Sequence, residues 1–372
     1  MVDVFGTLGP ACDNEDILAE MFKAGMTGIR INLSHVMLAD CADSIKRIHS
    51  AAAACGVKPK ILIDMQGPEL RIGNLKEPLV LNEGDEAMLI DAKGDDVNVV
   101  DAEFVDTRLI STEQTANVIP VDSLIIDHLS MGKELLLDDG KILAKVVEAD
   151  CKGGASSENR CDRESRYECD STEAGGGTAA VRILRGGTLS SRKSIAILGE
   201  TIEMPALTER DRANLKLAAN LGITGVMQPF VRNAEDLKEL RATLDASDIK
   251  IYAKIENMAG VENLISFFPY VDEIIIARGD LGNAMPLWEL PKVQKSIAKA
   301  CRERNMPFMV VTQMLTSMEH SKVPTRAEVS DIYNAVADGA TSVMVTGETA
   351  VGENPIDVIR YLTNTARIAA ES

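Results

Sequence analysis

Apolar and polar positions along this chain follow one repeated rhythm, which a middle stretch interrupts. Residues 2–8, 28–33 and 60–65 are short apolar runs of strand length, and the segments between them are striped like helices. Ile17, Leu18, Met21 and Phe22 share one helical face. Asp13 or Asn14 stands where it can cap that helix, and Gly25 where it can end it. A second helix is expected over 40–55. After Pro205 the rhythm resumes, with strand-like runs at 223–228, 250–255, 272–277, 308–312 and 341–345. Helical patterns separate them at 210–221, 234–244, 290–304 and 326–337, and another starts at Pro355. Three strands and then five, each followed by a helix or an insertion, predict an α/β fold. It is a TIM (β/α)8 barrel built from residues 1–67 and 203–372.

Residues 68–202 break the pattern. The runs 135–137 and 142–147 flank Asp138-Asp139-Gly140, a strong hairpin signal. The runs 79–81 and 87–90 flank Asn82-Glu83-Gly84-Asp85, another turn, and 181–184 ends at Gly186-Gly187. Helical periodicity is weak, so the expectation is a small all-β domain inserted after the third barrel strand. Within it, residues 151–178 are polar and read as a flexible tip. Their Cys151, Cys161 and Cys169 lack zinc spacing and have no histidine beside them.

Composition narrows the class. Of 372 residues, 45% are hydrophobic and 26% charged, which suits a folded chain rather than a disordered one. The net charge of −18 repels phosphate backbones and anionic lipid, so neither nucleic acid nor a membrane surface is the expected partner. An anionic substrate would need a local cluster of cations or metal. No apolar run reaches the roughly 18 residues of a membrane span, and the N-terminus has no signal-peptide pattern. Seven scattered cysteines read as reduced thiols. The expected compartment is the cytoplasm.

Chemistry in such a barrel sits at the carboxyl ends of the strands. There the sequence supplies Arg30, Asn32, Ser34 and His35, then Asp64, Lys254 and Glu256, Arg278-Gly279-Asp280, Thr312 and Glu348. Any one polar residue at a strand end is unremarkable. Lys254-Ile255-Glu256 is different, because two opposite charges alternate onto one face of a strand and a buried charge needs a partner. Glu256 and Asp280 end neighbouring strands, about 4.8 Å apart, so their carboxylates can share one ion. Carboxylates without a histidine suit Mg²⁺ or Mn²⁺ rather than zinc. Arg30 and Lys254 could then neutralise a phosphoryl group. Asn32, Ser34 and Asp64 offer oxygens carrying a single formal charge, which fits a monovalent ion or equally a plain hydrogen-bond network. No P-loop is present.

Several stretches, in order across nearly the whole chain, resemble pyruvate kinase. They are Thr7-Leu8-Gly9-Pro10, Ala24-Gly25-Met26, Arg30-Ile31-Asn32-Leu33-Ser34-His35 and Asp64-Met65-Gln66-Gly67-Pro68-Glu69-Leu70-Arg71, followed by Asp138-Asp139-Gly140. Lys254-Ile255-Glu256-Asn257, Ala277-Arg278-Gly279-Asp280-Leu281-Gly282, Thr312-Gln313-Met314-Leu315, the segment 324–331 and Gly347-Glu348-Thr349-Ala350 complete the set.

The resemblance implies phosphoryl transfer from phosphoenolpyruvate to ADP, giving pyruvate and ATP, with the inserted domain as a lid. It implies that Glu256 and Asp280 hold Mg²⁺ (or Mn²⁺) and that Lys254 stabilises the phosphoryl group in flight and the enolate left behind. Arg30 would contact the phosphoryl group. The Gly279 and Asp280 amides with Thr312 would hold the substrate carboxylate, Thr312 lying near the water that protonates the enolate. Asn32, Ser34, Asp64 and the Met65 carbonyl would bind K⁺, and Glu69 goes with a potassium requirement. His35, Arg71 and Lys193 would face the nucleotide phosphates. A homo-oligomer is expected from the same resemblance. Met65-Gln66, Val36, Ala196-Ile197-Leu198 and Asn283-Ala284 depart from the family pattern. The resemblance stops at the eighth barrel helix, so the expectation is either a short form lacking the family's carboxyl-terminal domain or a chain cut at that point. Two rival expectations are a Mg²⁺-dependent aldolase or decarboxylase of keto acids on a TIM barrel, and a non-catalytic sensor of phosphoenolpyruvate or nucleotide.

Overall fold

The structure is a computed structural model, and it describes residues 2–34, 36–91, 117–138, 140–150, 177–200, 202, 204–244 and 248–372. Three strands open the chain, β1 (Asp3–Thr7), β2 (Gly28–Asn32) and β3 (Lys60–Asp64). Eight more follow among the described residues: β4 (Leu79–Leu81), β5 (Glu86–Asp91), β6 (Asn117–Val121), β7 (Glu134–Leu137), β8 (Ile142–Asp150), β9 (Thr178–Arg185), β10 (Gly187–Leu189) and β11 (Ile195–Ile197). Then come β12 (Gly225–Gln228), β13 (Lys250–Ile255), β14 (Glu273–Ala277), β15 (Phe308–Val311) and β16 (Ser342–Met344). The first three and last five strands close a parallel barrel in the order β1-β16-β15-β14-β13-β12-β3-β2. Closure is made by Asp3↔Ser342 and Phe5↔Met344. It is reinforced where Thr7 donates its amide to Thr349 Oγ1 at 2.8 Å and its hydroxyl to the Val345 carbonyl at 2.9 Å. The chain thus has the (β/α)8 barrel with a β-rich insertion after the third strand.

Period-two alternation decides what fills the barrel. Phe5, Leu62, Met227, Tyr252, Ile275, Met309 and Met344 meet inside as one buried cluster. The opposite faces carry Val4, Ile29, Ile61, Ile63, Val226, Ile251, Ile274, Val310 and Val343 into the larger core beneath the helices. Those helices are α1 (Glu15–Lys23), α2 (Ala42–Ala54), then, after the inserted unit's α3 (Ser123–Asp127), α4 (Glu209–Ala218), α5 (Ala234–Thr243), α6 (Met258–Glu262), α7 (Leu264–Phe267), α8 (Arg278–Asn283), α9 (Leu290–Glu303), α10 (Arg326–Ala337), α11 (Gly347–Ala350) and α12 (Pro355–Ala370). Asn14 caps α1 by accepting from the amides of Asp16 and Ile17. Asp13 instead binds Arg47 and Ser44 of α2. No helix among the described residues is long and apolar enough to cross a membrane.

Several ends differ from the apolar pattern for identifiable reasons. β2 stops at Asn32, whose Oδ1 accepts from the Ser34 amide and turns the chain. β15 stops at Val311 because Thr312 takes φ +77°. α6, α7 and α8 are too short to show a periodicity, and they fill connections where no helix was expected.

The chain forms two compact units, Met1–Pro68 with Met204–Ser372, and Glu69–Glu203. In the second unit a six-stranded sheet runs β11-β7-β8-β9-β5-β6. β7 and β8 pair as a hairpin about the Asp138-Gly140 turn, with Leu137↔Ile142. β4 and β5 do not pair with each other across the Asn82–Asp85 turn. β4 joins β10, while β5 joins β9 and, in parallel, β6. A turn signal locates a reversal, but the sheet chooses the partner. Among the described residues the unit also contains a short helix, α3, capped by Asp122. The 151–178 tip with its three cysteines falls almost wholly outside the described residues, as do His35 and Asp139.

Candidate active site

Inward-facing positions one step beyond the apolar cluster, toward the carboxyl ends of the strands, are charged. Arg30 follows Gly28 on β2, Asp64 follows Leu62 on β3, and Lys254 follows Tyr252 on β13. Asp64 is central. Its Oδ2 accepts from Arg30 Nε at 2.8 Å and pairs with Arg30 Nη2 at 2.7 Å, while Oδ1 faces Lys254 Nζ at 3.2 Å. The ammonium also reaches Glu256 Oε1 at 2.8 Å. Asp64 is 3% exposed at its side chain, Arg30 and Lys254 13% each. Arg30 extends to Thr7 Oγ1 at 3.4 Å, and the Phe230 amide donates to Glu256 Oε2 at 2.8 Å. Two carboxylates and two cations therefore balance in a nearly dry layer.

Burial opposes the charge on Lys254, but Asp64 and Glu256 outweigh it and hold the ammonium above the ordinary lysine range. Burial likewise opposes ionisation of Asp64, and Lys254 and Arg30 reverse that and hold its carboxyl below the usual range. Both groups are charged at neutral pH.

The residues read from the sequence as cation ligands meet here in part. Asn32 and Asp64 are register partners across β2 and β3, and Asn32 Oδ1 takes the Ser34 amide at 3.1 Å. Asp64 Oδ1 is buried and has no hydrogen bond besides its ion pair with Lys254, so it keeps acceptor capacity that a cation could use. Met65 is buried and donates its amide to the Met227 carbonyl. Glu256 immediately follows β13, and Asp280 lies in the first turn of α8 after the adjacent β14. Both act electrostatically on Lys254. This oxygen-only pair fits a hard divalent cation. Among the described residues no group of three or more His, Cys, Asp or Glu is arranged to hold a metal alone. An ion at Glu256 and Asp280 would therefore complete its shell with water or substrate oxygens.

Beside this cluster the chain leaves β15 through two left-handed residues, Thr312 at φ +77° and Gln313 at φ +56°. For a β-branched residue this is strained backbone, of order 1–3 kcal/mol. Thr312 packs against Gly279, where an added Cβ would lie 3.1 Å from Thr312 Cγ2. Glu348 is buried and accepts from the amides of Leu315 at 3.1 Å and Thr346 at 2.7 Å. Its carboxylate is thus spent holding two loops together.

Arg71 and Lys193 belong to the inserted unit. Arg71 is fastened to Glu69 and to the Arg192 carbonyl, and Lys193 pairs with Asp138 at 2.8 Å. Sequence reasoning missed Thr7 and Phe230 as members or supports of the site, and it missed Asp331, which accepts from Arg278 Nη1 at 2.6 Å. A backbone amide such as that of Phe230, which sits at φ +52°, leaves no sequence signal.

The chain matches the family model described as "Pyruvate kinase, barrel domain" over residues 1–359. It is 33% identical over 360 residues to pyruvate kinase of Geobacillus stearothermophilus, covering 96% of this chain and 54% of that protein. For pyruvate kinase of Chlamydia pneumoniae the identity is 34% over 359 residues, covering 96% and 66%. For that of Aeropyrum pernix it is 32% over 365 residues, covering 97% and 69%. The chain spans about half to about two thirds of the length of these relatives. With the barrel, the insertion after its third strand and the match over nearly its whole length, this chain belongs to the pyruvate kinase family.

Proposed function

We propose that the chain transfers the phosphoryl group of phosphoenolpyruvate to ADP, giving pyruvate and ATP. One observation carries the reading: Lys254 is held charged between Asp64 and Glu256, with Arg30 on the opposite oxygen of Asp64, at the carboxyl end of the barrel. On a chain of net charge −18, these are desolvated cations able to meet a small, strongly anionic substrate. In the transfer, an oxygen of the ADP β-phosphate attacks phosphorus and the bond to the enol oxygen breaks. Arg30 and Lys254 stabilise charge on the phosphoryl oxygens, and Lys254 stabilises the enolate as it forms. The enolate then takes a proton at carbon beside Thr312. The amides of Gly279 and Asp280, at the start of α8, and the Thr312 side chain orient the substrate carboxylate.

Glu256 and Asp280 would hold Mg²⁺ or Mn²⁺, which when bound neutralises phosphoryl and carboxylate oxygens. Asn32, Ser34, Asp64 through Oδ1 and the Met65 carbonyl would hold K⁺. Arg71 and Lys193 would face the nucleotide phosphates, as their counterparts do in the family the chain resembles.

The test is pyruvate formation from phosphoenolpyruvate and ADP with Mg²⁺, first in potassium and then in sodium salts. Turnover that requires potassium is the expected result. No turnover in either salt, with phosphoenolpyruvate still bound, would overturn this reading in favour of a sensor.

A further inference from the structure

Two successive left-handed residues without glycine, the first β-branched, persist only when their surroundings hold them. At Thr312 and Gln313 the holding group is Arg278. Its Nε and Nη2 donate to the Thr312 carbonyl at 3.0 and 2.7 Å, and Nη2 also donates to the Gln313 carbonyl at 3.2 Å. Asp331 on α10 holds Nη1 at 2.6 Å. The Arg278 side chain is only 10% exposed. Its planar donors are thus divided between the strained turn and an anchor on a neighbouring helix. A point charge such as lysine cannot reproduce that fork. Arg278 directly precedes Gly279, against which the Thr312 side chain packs, so the clamp and the Gly279 backbone belong to one rigid corner.

We propose that Arg278, anchored by Asp331, is a positioning residue. It locks Thr312 and Gln313 in their left-handed turn and thereby presents the Thr312 side chain to substrate over Gly279. Arg278 acts through Thr312 and not as a charge on the reacting group. The proposal rests on the reading of this corner as the phosphoenolpyruvate site.

The test is a double-mutant cycle combined with a structure. Arg278→Gln lowers kcat/KM for phosphoenolpyruvate by about 10²-fold, the cost of a misplaced group of this kind, and Arg278→Lys does not restore it. Thr312→Ala alone lowers it as well. The double variant is expected to be no worse than the poorer single one, because the two residues act as a unit. Losses that multiply in the double variant would overturn the proposal. The crystal structure of Arg278→Gln should show Thr312 relaxed out of the left-handed region, and a retained φ would also overturn it. Should Arg278→Gln fail to fold, Asp331→Asn replaces it in both arms, with a loss of about tenfold expected. If the wild-type chain forms no pyruvate, the functional reading has failed separately, and the Thr312 conformation in the variant still decides the clamp.

Discussion

Lys254 is the residue on which the charge balance of the barrel mouth turns. Replacing it with methionine leaves Asp64 and Glu256 buried with Arg30 as the remaining cation described beside them. Breaking a buried ion pair from one side costs about 3–5 kcal/mol, so Lys254→Met should lower unfolding stability by that order in denaturant titration. Turnover should fall by about 10²–10³, as for one lost charge-stabilising group. Wild-type turnover in a folded variant would remove Lys254 from the chemistry. This residue was legible from the chain alone, since Lys254 and Glu256 two apart on a strand must share a face. Asp64 was legible as a polar strand end, but its pairing with both Arg30 and Lys254 was not, because the three residues come from separate strands.

At the level of the element, the cap of α10 does two tasks. Thr325 and Glu328 form a reciprocal capping box, and Glu328 also accepts from the Ser317 amide at 2.8 Å and hydroxyl at 2.5 Å. Burial opposes ionisation of Glu328, yet the bonds from Ser317 and Thr325 prevail and hold its carboxyl below the ordinary range. A depressed folded pKa stabilises the fold above the unfolded value of about 4.3 and loses that stabilisation as pH falls through the folded value. Glu328→Gln should therefore cost about 1–2 kcal/mol at neutral pH. The difference from wild type should shrink in acid unfolding curves below about pH 4. A difference constant with pH would mean that the charge on Glu328 is irrelevant. Helix 326–337 and its cap were readable from Thr325-Arg326-Ala327-Glu328. The tie to Ser317 was not, since it crosses a loop whose path periodicity does not describe.

For the whole molecule, barrel closure imposes constraints that no single element reveals. Gly28 faces inward on β2, where an added Cβ would overlap the Phe5 ring of β1 and the Lys60 carbonyl of β3. Gly28→Ala should destabilise the fold by about 1–3 kcal/mol through overpacking, lowering Tm in a thermal melt. An unchanged Tm would mean that the strands separate there at little cost.

The sequence by itself determined the order of the barrel strands and of the long helices between them, the point of insertion and the alternation that puts charge inside the strand ends. Those are local properties, set by a two-residue period in strands and a 3.6-residue period in helices, and they do not depend on what the elements meet. Only the tertiary structure decided which neighbour each group found. Asn14 rather than Asp13 became the cap of α1 because Arg47 of the next helix claimed Asp13. β4 and β5 parted across their turn to join different sheets. Thr312 left the strand pattern for a left-handed turn because Arg278 holds its carbonyl. Each of these outcomes depends on residues far apart in the chain, which meet only once registers are set and the fold has formed.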